Sequence, residues 1–266
     1  MTTPTGPPGG SWAGWRDGGG ARADVGADLA GPAPPLLEVH DVSVRFGGVQ
    51  ALNRASLTVL PGRITGVIGP NGSGKSTLFN AITGVTRADS GSIVFGGTDI
   101  TRLGPHRINQ LGVGRTFQLT RLFGQMTAFE NLVVVGRGDS VDVRRRAEEL
   151  LEIVSLRHVR DEYAANLSYG QQKLVEFVRL MMTDPALVML DEPFAGVNPV
   201  MERRLLEQMD GWLREGRTIV LTDHEMKIMM EICEEIFVLD HGEVIASGTP
   251  TQVRNDPRVM EAYFGR

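Results

Sequence analysis

Cysteine is nearly absent from this chain: Cys233 is the only one among 266 residues. A disulfide framework is therefore excluded and a reducing compartment fits, with Cys233, in an apolar helical stretch, expected to be core packing. Also missing is any apolar run near the roughly twenty residues that a membrane-spanning helix needs. If the chain serves a membrane, it does so from the surface through partners. Positive charge is in deficit as well, since 27 Lys and Arg against 32 Asp and Glu leave a formal net charge of −5. That balance argues against nucleic-acid binding, which needs a basic face. The first residues lack the positively charged head and apolar core of a secretory signal. Residues 1–36, rich in Gly, Pro and Ala and poor in aliphatics, cannot bury enough apolar area to offset ordering entropy and are expected to form a disordered tail. Trp12 and Trp15 within it are either inert or a docking motif. The chain as a whole is 41% hydrophobic, enough for one substantial core in residues 37–266 and little else.

What is present begins with GPNGSGKST, Gly69 to Thr77. It lies between an apolar run with Ile64, Val67 and Ile68, which reads as a buried strand, and a helical face begun by Leu78, Phe79 and Ile82. This is the expected setting of a phosphate-binding loop. Gly69, Gly72 and Gly74 would let backbone N–H groups turn toward an anion, with Pro70, Asn71 and Ser73 completing the ATP-binding loop. Lys75 would bring a compact positive charge to the β- and γ-phosphates, Ser76 a hydroxyl for Mg²⁺, and Thr77 support for the loop. Far downstream, Leu187 to Leu190 read as a second buried strand that ends in Asp191-Glu192-Pro193. Carboxylates at the carboxyl end of a strand in a doubly wound α/β domain lie at the ligand edge, so Asp191 can reach the metal and Glu192 an attacking water. Between the two, LSYGQQ (Leu167 to Gln172) precedes Leu174, Phe177, Val178 and Met181 at helical spacing, and Ser168 with Gln171 fits a capping box. A capped N-terminus preceded by glycine is itself a phosphate site. Two phosphate sites are one too many for a monomer.

GPNGSGKST, Gln118, LSYGQQ, LVMLDEP and His224, in this order and spacing, resemble the ATP-binding subunit of an ABC transporter, from about Leu37 to the end. The resemblance implies a P-loop NTPase of the ABC type, an α/β fold with an antiparallel β lobe and an inserted helical subdomain at about 119–180. It implies ATP and Mg²⁺ as ligands, and a head-to-tail pair in which Ser168, Tyr169, Gly170 and Gln171 face the ATP held by the partner's loop. It further implies that Gln118 senses the metal and the water, with Ser76 and Asp191 as the other metal-holding residues. His224 would contact the γ-phosphate, and Phe46 would stack on adenine unless it belongs to the core. Glu192, His224, Gln118 and Lys75 are then the catalytic set. Tyr169, Asn198 and Glu225 depart from the broad pattern, which more often has Gly, Asp and Asp there; none removes the loop lysine, the base or the histidine.

RTFQLTRLFGQMTAFENL (Arg115 to Leu132), AGVNP and the ending TPTQVRNDPRVMEAYFGR narrow the likeness to ATPase subunits of branched-chain (hydrophobic) amino-acid importers. Importers of urea or short amides share much of this text, and the ATPase of lipopolysaccharide export shares less. The implied partners are transmembrane permease subunits, a second ATP-binding subunit (a paralogue more readily than a copy) and, indirectly, a substrate-binding protein outside the cell. The implied place is the cytoplasmic face of the membrane. Soluble ABC-type ATPases acting on DNA or ribosomes carry coiled-coil inserts, zinc cysteines or two ATPase domains, none of which occurs here. Among the coarser elements, LEVHDVSVRF alternates as a strand, and Leu52 to Leu60 form another that stops at Pro61-Gly62. A helix is expected from Val143, with Arg144 and Glu148 as an i, i+4 pair. Strands are expected at Thr218 to Leu221 and Ile236 to Leu239, and a closing helix near Pro257 to Tyr263. Leu122, Phe123, Met126 and Phe129 either line a groove for a permease helix or join the two lobes.

Overall fold

A computed structural model describes residues 33–116 and 121–264; the tail reading, with Trp12 and Trp15, and the assignment of Gln118 lie outside the described residues. The chain runs β1 (Leu37–Phe46), β2 (Val49–Val59), β3 (Ile64–Ile68), α1 (Lys75–Ile82), β4 (Ser90–Phe95), β5 (Thr98–Asp99), α2 (Pro105–Gln110) and β6 (Val113–Arg115). It continues with α3 (Ala128–Val133), α4 (Ser140–Ile153), α5 (Tyr169–Met181), β7 (Leu187–Asp191), α6 (Pro199–Arg214) and β8 (Thr218–Thr222). The last elements are α7 (Met226–Ile232), β9 (Glu235–Asp240), β10 (Glu243–Gly248), α8 (Pro250–Arg254) and α9 (Pro257–Phe264).

Two sheets organise these elements. β2-β1-β4-β5 form an antiparallel sheet, and β10-β9-β3-β8-β7-β6 form a second one that is parallel except at its β10 edge. The expected alternation in β1 holds in two halves. Leu37 and Val39 are buried, then Val42 and Val44, because Asp41 adopts a left-handed φ of 48° and the pairing with β2 slips between Val39 and Val42. β3, β7 and β8 are buried along their whole length, which is why they read as unbroken apolar runs and not as alternating ones. Leu78, Phe79 and Ile82 of α1 share one core cluster with residues of both sheets. That packing fixes the helix that follows the phosphate loop.

The helical segment between β6 and β7 departs in detail from the sequence expectations. α4 starts at Ser140, three residues before Val143, because the Asp139 side chain caps it by accepting from Val141 N. Arg144 and Glu148 do not form the expected pair: Glu148 takes the Arg160 guanidinium at 2.5 Å, and the exposed i, i+4 pair is Arg145–Glu149 at 3.0 Å. Arg144 and Arg160 instead lie over the Phe129 ring, 5.8 and 4.1 Å from its centroid. Phe129 is thereby buried and cannot line a groove; of the four apolar residues named for one, Phe123 alone is exposed, at 50%. Fully buried Asn131 holds the turn before α3, donating to the Phe123 and Thr127 carbonyls and accepting from Phe123 N at 2.8 Å. Stacked rings of Phe177 and Trp212, centroids 4.1 Å apart, join α5 to α6.

Candidate active site

The loop of residues 69–74 leaves the end of β3 and enters α1. Gly74, at φ 108°, has no room for a side chain, since a Cβ there would lie 2.5 Å from the Ala51 carbonyl. At Gly69 the same atom would be 2.0 Å from the Leu239 carbonyl oxygen. The first turn of α1 has neither a side-chain cap nor an acidic residue, so its N–H groups and the positive end of the helix are available to an anion. Lys75 is buried, and its ammonium donates to the carbonyls of Gly69 and Pro70 at 2.8 and 2.9 Å. Burial pulls its pKa below the ordinary lysine value, while the nearby charges of Glu192 and Asp191 push the other way. The Ser73 hydroxyl is buried without a hydrogen-bond partner, and Ser76 stands exposed one residue into α1. This is a cradle built for phosphate oxygens, and it fits a nucleotide.

On β7, separated from β3 by β8, Asp191 is buried and Glu192 begins the following loop. Glu192 has a left-handed backbone, φ 50°, held on both sides: its N–H donates to the Thr222 carbonyl at 2.8 Å, and its carbonyl accepts from Lys173 at 3.4 Å. Its Oε1 lies 2.7 Å from His224 Nε2. Sequence reasoning missed the residue that ties these loops together. Buried Asp223 accepts from Phe194 N at 2.9 Å, His224 N at 2.7 Å and Glu225 N at 3.0 Å. Burial raises its pKa above the usual carboxylate value against those three hydrogen bonds. An acid between a strand-ending threonine and the histidine, TDH, was the available signal.

Ser168 caps α5 in a complete capping box with Gln171. Tyr169, 43% exposed, donates to the Ala195 carbonyl at 3.4 Å and packs beside Gly196. The ring therefore rests on the loop after Glu192, and Ser168 is exposed. Asn198 caps α6 by accepting from Val200 N and Met201 N, as an aspartate would. Phe46, at the end of β1, is 53% exposed and not part of the core. Thr116, directly after β6, is tied to β7: its N–H donates to the Met189 carbonyl at 3.0 Å, and its Oγ1 accepts from Asp191 N at 3.3 Å. Phosphate loop, Asp191, Glu192 and His224 thus gather at the carboxyl edge of the parallel strands, while Ser168 to Gln171 belong to a separate helix start. A groove of about 240 Å³, lined by Arg115, Arg121, Phe123, Glu176 and Arg179 among others, lies to one side.

Such a loop, with an acidic pair at the carboxyl end of β7 and an inserted helical segment, defines an ATPase of the nucleotide-binding cassette type. The ABC transporter family model matches residues 52–195, and a model described as branched-chain amino acid ATP-binding cassette transporter matches residues 243–266. The chain is 39% identical over 245 residues to the probable branched-chain amino acid transport ATP-binding protein LivG of Archaeoglobus fulgidus, covering 86% of this chain and 95% of that one. It is 35% identical over 234 residues to the lipopolysaccharide export system ATP-binding protein LptB of Haemophilus influenzae, covering 86% and 97%. A crystal structure of a nucleotide-free ATP-binding cassette from an ABC transporter matches with a TM-score of 0.79 and 33% identity, over 87% of this chain and all of that one. The chain belongs to the ABC transporter family, as one of its ATP-binding subunits.

Proposed function

We propose that this chain binds and hydrolyses ATP as a subunit of an importer of branched-chain (hydrophobic) amino acids, working from the cytoplasmic face of the membrane beside permease subunits and a second ATP-binding subunit. The observation that carries the cargo is the match of residues 243–266 to the branched-chain amino acid model; that segment comprises β10, α8 and α9. No helix among the described residues is long and apolar enough to cross a membrane, consistent with a subunit that works through membrane partners.

The residues support a definite order of events. Lys75 and the α1 N-terminus hold the phosphates, and exposed Phe46 offers a face to adenine. Glu192 takes a proton from a water that attacks the γ-phosphorus in line, and the bond to the β-phosphate oxygen breaks to leave ADP and phosphate. His224, on the Glu192 carboxylate, keeps it aimed and can donate to the γ-phosphate, where charge develops in the transition state. Ser76, Asp191 and Gln118 would supply the oxygen ligands a Mg²⁺ ion prefers, and that ion would offset phosphate charge. Ser168 to Gln171 complete the site of a partner cassette. A closed pair that binds ATP better than ADP is reopened by hydrolysis.

The test is to tag the Glu192→Gln form, trap it with ATP in native membranes and identify what co-purifies by mass spectrometry. Two permease subunits, a second ATP-binding subunit and an amino-acid-binding protein encoded nearby are expected. Recovery of lipopolysaccharide-export components, or of a binding protein for urea or amides, would replace the cargo. Recovery of soluble DNA or ribosome partners alone would overturn the transport reading.

A further inference from the structure

We infer that Arg115 is a positioning residue for the metal site: it bolts the helix that carries Ser76 to the strand that carries Asp191. Arg115 ends β6, in register with Met189 of β7. Its Nη2 donates to Asp191 Oδ2 at 2.7 Å, and its Nη1 to Asn80 Oδ1 on α1 at 2.7 Å and to Oγ1 of Thr83, the C-cap of α1, at 3.3 Å. The guanidinium also lies over the Phe79 ring, 5.5 Å from its centroid. Both partners of the ion pair are inside the protein, with side chains 6% and 8% exposed.

Each of these contacts bears on the separation of two oxygen ligands. Ser76 rides on α1 and Asp191 on β7, elements that are not joined in sequence. One planar guanidinium, with donors in a fixed fork, reaches both, which a lysine's point charge on a flexible stem cannot do. With Oδ2 committed to Arg115, the Asp191 carboxylate is fixed in rotation. Mg²⁺ demands near-ideal octahedral geometry, so it is the ion most sensitive to a ligand left free to turn. Groups that hold metal ligands in place are worth roughly 10–100-fold in metal affinity. Arg115 also lines the groove beside Phe123.

This inference rests on the reading of Asp191 as a holder of Mg²⁺, and the experiment separates the two. Equilibrium binding of a fluorescent ATP analogue is titrated with Mg²⁺, and in parallel with Mn²⁺, for the full chain and three variants. Arg115→Lys is expected to raise the Mg²⁺ concentration at half-saturation about tenfold, to raise that for Mn²⁺ less, and to leave binding in chelator unchanged. Asn80→Ala, which removes one anchor of Arg115 and no charge, is expected to shift it in the same direction by less, and it decides the matter if Arg115→Lys does not fold. A wild-type Mg²⁺ dependence in the folded variants, or an equal loss of metal-free binding, would overturn the role of Arg115. If Asp191→Asn itself leaves the Mg²⁺ dependence untouched, the assignment of Asp191 falls, and the role of Arg115 with it.

Discussion

Glu192 and His224 form a pair whose separate contributions can be measured. Glu192→Gln keeps the shape and loses the base, so ATP binding should persist while turnover falls by about 10²–10⁴-fold, the usual worth of a positioned general base. His224→Ala, which removes the 2.7 Å partner of that carboxylate, should lower turnover less, because the base remains and only its aim is lost. Phosphate release and nucleotide binding measured on the same preparations distinguish the outcomes; turnover retained by Glu192→Gln would reassign the base. At this scale Lys75, Ser76, Asp191, Glu192 and His224 could be named from the sequence, since the contacts proposed for each with ATP or Mg²⁺ dictate its residue type. Asp223, Arg115 and Lys173 were not, since each acts on protein groups that only the fold brings near, such as the Phe194 amide, Asn80 and the Glu192 carbonyl.

Elements set where those residues stand, and two of them give sharp expectations. Ser168 serves both as the cap of α5 and as the proposed contact to a partner's ATP. Ser168→Ala should therefore destabilise the isolated chain by about 1 kcal/mol in urea unfolding, the typical worth of an N-cap, and should also weaken hydrolysis in the assembled transporter; loss of only one would separate the two roles. α9 is docked through Tyr263, whose phenol is pushed by burial from the ordinary 10.0 up to about 12, against a smaller pull from the Gly69 backbone. The folded chain thus holds this proton more tightly than the unfolded one, so stability is intact below pH 10 and declines as pH climbs from 10 toward 12. Tyr263→Phe should flatten that decline relative to wild type, read from urea midpoints across the interval. The strands and most helices were legible because their periods are set by burial. The misjudged details, the start of α4 and the Arg144–Glu148 pair, depend on Asp139 as a cap and on Arg160, which meets Glu148 only after folding; the same fold decides between the two readings of Phe129 by setting Arg144 and Arg160 over its ring.

Across the whole molecule, the proposed pairing gives each chain two duties at once: its Glu192 serves the ATP on its own loop and its Ser168 serves the other. Lys173 on the Glu192 carbonyl and Tyr169 on the Ala195 carbonyl connect those duties within one polypeptide, so neither site of the pair is handled in isolation. The left-handed backbone at Glu192, φ 50°, has its own bearing on the folded state as a whole. A glutamate there costs about 1–3 kcal/mol that a glycine would not. A laboratory search that rewards heat resistance alone will therefore drift toward glycine at this position and collect sturdy, silent proteins. Only a screen that makes survival depend on ATP turnover will keep the acid.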